Sequence, residues 1–271
     1  MSQICSNNPF QASTSQFKIL SQNIQLPFIT SDVKSNWNKS DRIQKLLKWI
    51  QSDSIDCILV QEAFRMSTIG FSFDSKTALL YNELKKLHFN VELAPTVANN
   101  SSLFCQNSGL LIASTYPILE SNFISFKSVS DNLTIPTIRG FLVVKLKLPY
   151  GPILLINTHL EHQEDLESIR QSQLNEIHLF TMNQTIPIIL AGDLNTQNPI
   201  LPEEWTRLND KHITTWPVDS TLAQGQMLDF FYSKNCNTLQ LSKVSRWEHD
   251  DVSDHYGLVL HIDSSDSPHG Q

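Results

Sequence analysis

Apolar runs closed by a polar or turn-forming residue recur along the chain, and between them lie stretches whose apolar residues return every three or four positions. The runs predict β-strands at 17–23, 55–61, 109–114, 138–146, 153–157, 186–191, 228–232 and 257–262. Several are apolar almost without interruption, the pattern of strands covered on both faces. In the stretch 41–52, Ile43, Leu46, Leu47 and Ile50 fall on one helical face, with Ser40 placed to cap it. Leu80, Leu84 and Leu87 make a second stripe over 76–87, and a third helix is expected over 165–182. Strands mixed with helices in this order predict sheet layers flanked by helices. Residues 70–75 and 198–220 read as loops roofed with aromatics. The polar residues 1–15 read as a flexible arm and 264–271 as a frayed tail, leaving 16–263 as a single domain.

Composition changes this picture little. The chain has 271 residues, of which 40% are hydrophobic, ordinary for a folded protein. The formal net charge is −7 with basic residues dispersed, so no stripe offers itself to a nucleic-acid backbone, although a local basic cleft could. The cysteines Cys5, Cys57, Cys105 and Cys236 show neither paired spacing nor a Cys/His cluster, which argues against zinc and against a disulfide framework. Cys57, inside an apolar run, reads as a small buried hydrophobe. The first residues lack the basic start and apolar core of a secretory signal, and no stretch reaches the roughly 18 apolar residues of a membrane span. The expectation is a soluble protein, cytoplasmic or peripheral to membranes, with export by another route left open. No protein partner is implied.

The candidate chemistry sits where the strands end. Asn23 closes the first and Glu62 the second; His159 follows the fifth; Asp193 and Asn195 follow the sixth; Asp254 and His255 precede the last. Polar residues at the ends of buried strands are placed to converge on one rim of a sheet. Singly, each has a plainer reading: a turn residue, a helix cap or a surface histidine. Together they suit metal-assisted phosphoester hydrolysis. Mg²⁺ takes oxygen ligands and needs only one or two carboxylates, a role for Glu62 and Asp254. Imidazole is the natural base near neutral pH, and Asp229 is a candidate to fix its tautomer from the other ring nitrogen.

The motifs QE at 61–62, NTHL at 157–160, GDLN at 192–195, LDF at 228–230 and SDH at 253–255 occur in the order of the endonuclease/exonuclease/phosphatase superfamily, which this chain resembles from Phe17 to Ile262. That superfamily includes nucleases, inositol phosphate 5-phosphatases, deadenylases and neutral sphingomyelinases. The resemblance implies a DNase-I-like, four-layer α/β sandwich, two packed mixed β-sheets flanked by helices. It also implies roles. Glu62, Asn23 and Asp254 would lie on the metal side, and His159 would face the phosphate. Asp193 and Asn195 would position water, transition state and leaving group. His255 would be the general base, oriented by Asp229, in an in-line attack without a covalent intermediate. The cofactor would be Mg²⁺, with Mn²⁺ a substitute.

Within the superfamily, the central segments QEAF at 61–64, QNSGLLIAS at 106–114 with Tyr116-Pro117, and RGFLVVK at 139–145 resemble the neutral sphingomyelinases. The 5-phosphatases carry an arginine beside the late aspartate that MLDFFYS lacks. The expected substrate is therefore sphingomyelin, a phospholipid met at a membrane surface and cleaved to ceramide and phosphocholine. A nuclease, abasic-site, DNase-like or deadenylase, is the alternative, and an inactive binding protein a third. Asn107 and Arg139 are candidate phosphate or substrate contacts. The plainer readings are that Arg139 is an ordinary surface cation and that the Asn107 segment only turns into a buried strand. For interfacial access, Leu26, Pro27, Phe28, Trp37, Phe64, Ile69, Phe71 and Phe73 are the apolar loop residues that could meet lipid, or could simply roof the core.

Overall fold

The computed structural model describes residues 16–26, 38–68, 71–73, 75–96, 104–130, 137–216 and 225–263. The predicted arm and tail, and Pro27, Phe28, Trp37 and Ile69, lie outside them. The first half of the chain forms β1 (Gln16–Leu26), α1 (Lys39–Ser52), β2 (Cys57–Ala63), β3 (Met66–Thr68), β4 (Phe71–Phe73), α2 (Ser75–Lys86), β5 (Asn90–Leu93), β6 (Phe104–Gln106), β7 (Leu111–Ser114) and β8 (Ile118–Ser125). The second half forms β9 (Gly140–Leu148), β10 (Gly151–His159), α3 (Glu167–Thr181), β11 (Ile188–Asp193), β12 (Thr206–Arg207), β13 (Asp229–Lys234), β14 (Gln240–Trp247) and β15 (Gly257–Asp263).

One six-stranded sheet runs β14-β15-β1-β2-β7-β5 and the other β12-β13-β11-β10-β9-β8, with a small β4-β3-β6 sheet beside them. Each large sheet is mixed, its parallel pair being β1–β2 in one and β10–β11 in the other. The period of two decides which face each residue covers. Ile19, Leu59, Leu155, Ile189 and Phe231 point between the sheets and form the central core. Their neighbours Leu20, Ile58 and Val60 pack outward against Ile43, Leu46 and Ile50 of α1 and Leu80 and Leu84 of α2. On the opposite side Leu154, Ile156, Ile188 and Leu190 meet Leu174 and Ile177 of α3. Three apolar interiors thus separate four layers, and the uninterrupted apolar runs are strands buried on both faces. Cys57 is fully buried, as its neighbours suggested.

Several local expectations need correction. The side chain that caps α1 is Asn38, which accepts from Ser40 N at 2.8 Å; Ser40 itself lies inside the first turn. Residues 71–73, read as loop, form β4 against β3. Leu26 is not a lipid-facing residue: it is 3% exposed in the core beneath α1. No helix among the described residues is long and apolar enough to cross a membrane.

Candidate active site

The inward stripe of each strand changes from apolar to polar as it reaches one end of the sandwich. Ile19 is followed inward by Ser21 and Asn23, Leu59 by Gln61, Leu155 by Asn157 and His159, and Ala191 by Asp193. Gln61 Nε2 donates to Asn157 Oδ1 at 2.7 Å, joining β2 of one sheet to β10 of the other directly below the polar rim. The parallel pairs present their carboxyl ends here, and the antiparallel β13 and β15 begin here. His159, Asp193 and Asp229 are therefore register partners on three adjacent strands, and side chains in one register row share a face. Glu62 breaks the alternation. One residue after inward-facing Gln61 it would point outward, but its φ of +59° takes it out of the extended conformation, and its side chain joins the inner group. Such a conformation in a non-glycine residue is strained and survives only where its surroundings fix it. Gly109 O accepts from Ala63 N at 2.8 Å, holding that turn. Asn195 adopts a similar conformation, φ +50°, with its N–H on Asp193 Oδ1 at 2.9 Å.

These residues meet at a cleft of about 1080 Å³ lined by Glu62, His159, Asp193, Asn195, Asp254 and His255, among others. Behind it, the Asn23 amide nitrogen donates to Glu62 Oε1 at 2.9 Å and to Asp193 Oδ2 at 3.1 Å, tying a carboxylate of each sheet to one group. Asn23 Oδ1 accepts from Gln25 N at 3.0 Å. Asn23 therefore orders the carboxylates through its nitrogen. Asp193 Oδ2 lies 3.8 Å from Nε2 of both His159 and His255. His255 Nδ1 is 2.9 Å from Asp229 Oδ2, and its backbone N–H reaches Ser253 Oγ. Asp254 stands at the rim with Ser253 Oγ donating to its Oδ1 at 3.2 Å.

The electrostatics follow from burying so many acids together. Burial raises Glu62, as does the nearby charge of Asp254, against the Asn23 hydrogen bond. Burial and Asp229 raise Asp193 as well. Burial disfavours the His255 imidazolium, yet Asp229, Asp193 and Asp254 overcome it and lift its pKa to about 10. His159 goes the other way: burial and the Arg139 charge hold it well below 6.5, so it is neutral. The two imidazoles flanking Asp193 are thus in opposite states.

The donor set fits a hard divalent cation at Glu62 and Asp254. Glu62 remains 22% exposed to the cleft, and the like charge between these carboxylates is what a cation would relieve. Asp193, Asp229 and His255 also bring one ligand atom each within 4.8 Å of one another. That trio is the poorer fit, because His255 Nδ1 is already committed to Asp229 and a hard cation prefers oxygen.

Two candidates for phosphate contact have their polar groups committed to the protein. Asn107 is 1% exposed; its Oδ1 accepts from Arg65 N and Gly109 N, and it supports the loop behind Glu62 without lining the cleft. Arg139 does border the cleft, but it is no surface cation, being 7% exposed and bonded to the carbonyls of His159 and Leu160. Phe64, Gln106, His162, Thr196, Ile200 and Trp216 also line the cleft. Of these the sequence singled out only Phe64, as a lipid-facing residue. Gln106 ends β6, a strand no apolar run announced, and His162, Thr196, Ile200 and Trp216 lie outside the named strands, where no periodicity marks which side faces inward.

A four-layer sandwich with this rim defines a class of protein, and the chain's similarity is to that class. The Endonuclease/Exonuclease/phosphatase family matches residues 20–255, and the chain belongs to it. Among individual proteins, the chain is 26% identical over 207 residues to sphingomyelinase C of Bacillus cereus, covering 68% of this chain and 59% of that protein. It therefore spans about six-tenths of the length of that relative. The solved structure of SmcL superposes with a TM-score of 0.72 at 20% identity, covering 92% of this chain and 99% of the other. D. rerio TDP2 complexed with single strand DNA product superposes at 0.67 and 16% identity, covering 92% and 100%.

Proposed function

We propose that the chain is a Mg²⁺-dependent phosphodiesterase that hydrolyses sphingomyelin to ceramide and phosphocholine. The observation that carries the hydrolysis is the His159–Asp193–Asp229 register row with His255 locked onto Asp229, facing Glu62 and Asp254. Glu62 and Asp254 hold the cation, with Mn²⁺ able to substitute, and bound Mg²⁺ supplies charge stabilisation for the phosphoryl oxygens. Asn23 sets the Glu62 carboxylate. Neutral His159 donates to a phosphate oxygen without carrying a competing charge. His255, in its neutral form, takes the proton of the attacking water at Nε2, while Asp229 holds Nδ1 and stabilises the imidazolium that results. Asp193, raised by burial and by Asp229, is placed to return a proton to the leaving oxygen, and Asn195 shapes the loop around it.

The choice of lipid rests on the similarity to sphingomyelinase C and on the QNSGLLIAS and RGFLVVK segments. The test is a panel of sphingomyelin in mixed micelles, lysolipids, inositol phosphates, abasic DNA and poly(A), each with and without chelator. Chelator-sensitive release of phosphocholine from sphingomyelin is expected. Cleavage of DNA or poly(A) in its place would favour the nuclease reading, which the fold likeness to TDP2 supports; turnover of nothing would leave a binding protein.

A further inference from the structure

The loop between β10 and α3 forms one wall of the cleft and carries a histidine that the chemistry above does not use. Arg170 on α3 donates to the carbonyls of Glu161 (3.1 Å), Gln163 (2.6 Å) and Glu164 (3.2 Å), and Gln173 Oε1 accepts from Glu161 N at 3.0 Å. The loop is therefore held at four points by one helix. His162 on this loop borders the cleft with its side chain 54% exposed. Its inner edge is occupied: Arg139 Nη2 lies 2.8 Å from Nδ1. Glu161 Oε1 also lies 3.2 Å from this nitrogen, but a guanidinium can only donate, so against the nearer Arg139 contact Nδ1 is the bare nitrogen and the neutral ring carries its proton on Nε2. Burial and the adjacent Arg139 charge push the imidazole down and outweigh the opposing Glu161 carboxylate, so the net shift is towards that neutral form.

Arg139 has little left to offer a ligand. Nη1 serves the carbonyls of His159 and Leu160, Nη2 serves His162 and sits 3.5 Å from Glu161 Oε1, and Nε is buried. Its charge acts on the cleft directly, and its contact with His162 Nδ1 also carries it into that ring. A donor into Nδ1 polarises the imidazole and strengthens the N–H on its far side. The cleft also carries the carboxylates of Glu62, Asp193, Asp254, Glu164 and Glu167, and a polarised N–H on its wall offsets their repulsion of an anion.

We propose that His162 is a phosphate-binding residue of this cleft, donating from Nε2 to a non-bridging phosphate oxygen, with Arg139 as the positioning residue that fixes its tautomer. This rests on the reading of the cleft as a phosphoester site.

The experiment measures inorganic phosphate binding by calorimetry in Mg²⁺ buffer, beside hydrolysis of bis(p-nitrophenyl) phosphate, for wild type, His162→Ala, His162→Gln and His162→Asn. A glutamine amide nitrogen reaches the position of histidine Nε2; an asparagine amide nitrogen stops at that of Nδ1. Ala and Asn should weaken phosphate binding about tenfold and raise KM more than they lower kcat, whereas Gln should stay within about threefold. Unchanged phosphate affinity in His162→Ala, or a loss in His162→Gln as large as in Ala, would overturn the proposal. Wild type that binds phosphate but hydrolyses no diester would sink the functional reading and leave the binding comparison to judge His162. Wild type that binds no phosphate would sink His162 whatever the turnover.

Discussion

His255 is asked to be both surrounded by acids and free to accept a proton. Without a cation its pKa of about 10 lies above the ordinary 6.5, so the protonated ring stabilises the fold fully below pH 6.5 and loses that contribution as pH rises through about 10. Metal-free protein should accordingly lose stability over this window, and Asp229→Asn should flatten the loss in urea titrations across pH. The same variant should bring the imidazole titration, followed by NMR, down towards 6.5 and lower kcat by about 10²-fold or more. Adding Mg²⁺ to wild type should lower the His255 pKa, because a cation at Glu62 and Asp254 opposes the imidazolium. Asn23→Ala removes an amide that holds carboxylates of both sheets, and should raise the Mg²⁺ concentration needed for half-maximal activity by about 10- to 100-fold. A normal metal dependence there would show that Glu62 needs no such support. At this scale the sequence exposed residue types and order but not direction. The position of Asn107 in the chain could not reveal that its side chain turns back onto Arg65 and Gly109.

At the level of elements, caps and close approaches decide what can change. Asn38→Ala should cost about 1 kcal/mol in thermal melts, and Ser40→Ala less, since Ser40 lies within the turn and only accepts from Lys76. Gly192 has φ +147°, and a Cβ there would lie 2.0 Å from Thr158 O on the parallel neighbour. Gly192→Ala should therefore force β10 and β11 apart and destabilise by about 3 kcal/mol or more, with activity falling before the melt does. All eight strands expected from apolar runs exist, and all three helices. The strands without such a run include every edge of the two large sheets: β14, β5, β12 and β8. Their outer positions face water, so β8 and β14 read as polar and mixed. The strain at Glu62 was equally hidden, because no local residue preference announces a left-handed glutamate.

For the whole molecule, the central core is what keeps the two halves of the rim in register. Leu155→Ala, fully buried between the sheets, should cost about 2–5 kcal/mol of unfolding free energy and lower activity in proportion to the folded fraction only. A disproportionate loss of kcat would mean that the sheets slide before they separate. The apolar runs predicted sheet layers flanked by helices; the packing of two sheets into four layers came only with the family resemblance, since the docking depends on contacts such as Gln61 with Asn157, 96 positions apart. The strand β1 carries a further implication. It is paired on one side with β2 but on the other with β15, and Gln16 and Asp263, which bond across that seam, are 247 positions apart. Closing so long a loop is slow. The SDH turn that brings Asp254 and His255 enters with that same strand. Catalytic competence should thus be the last property to appear during refolding, lagging the recovery of helix signal, and a ribosome-bound chain that has not yet released β15 should be chemically silent.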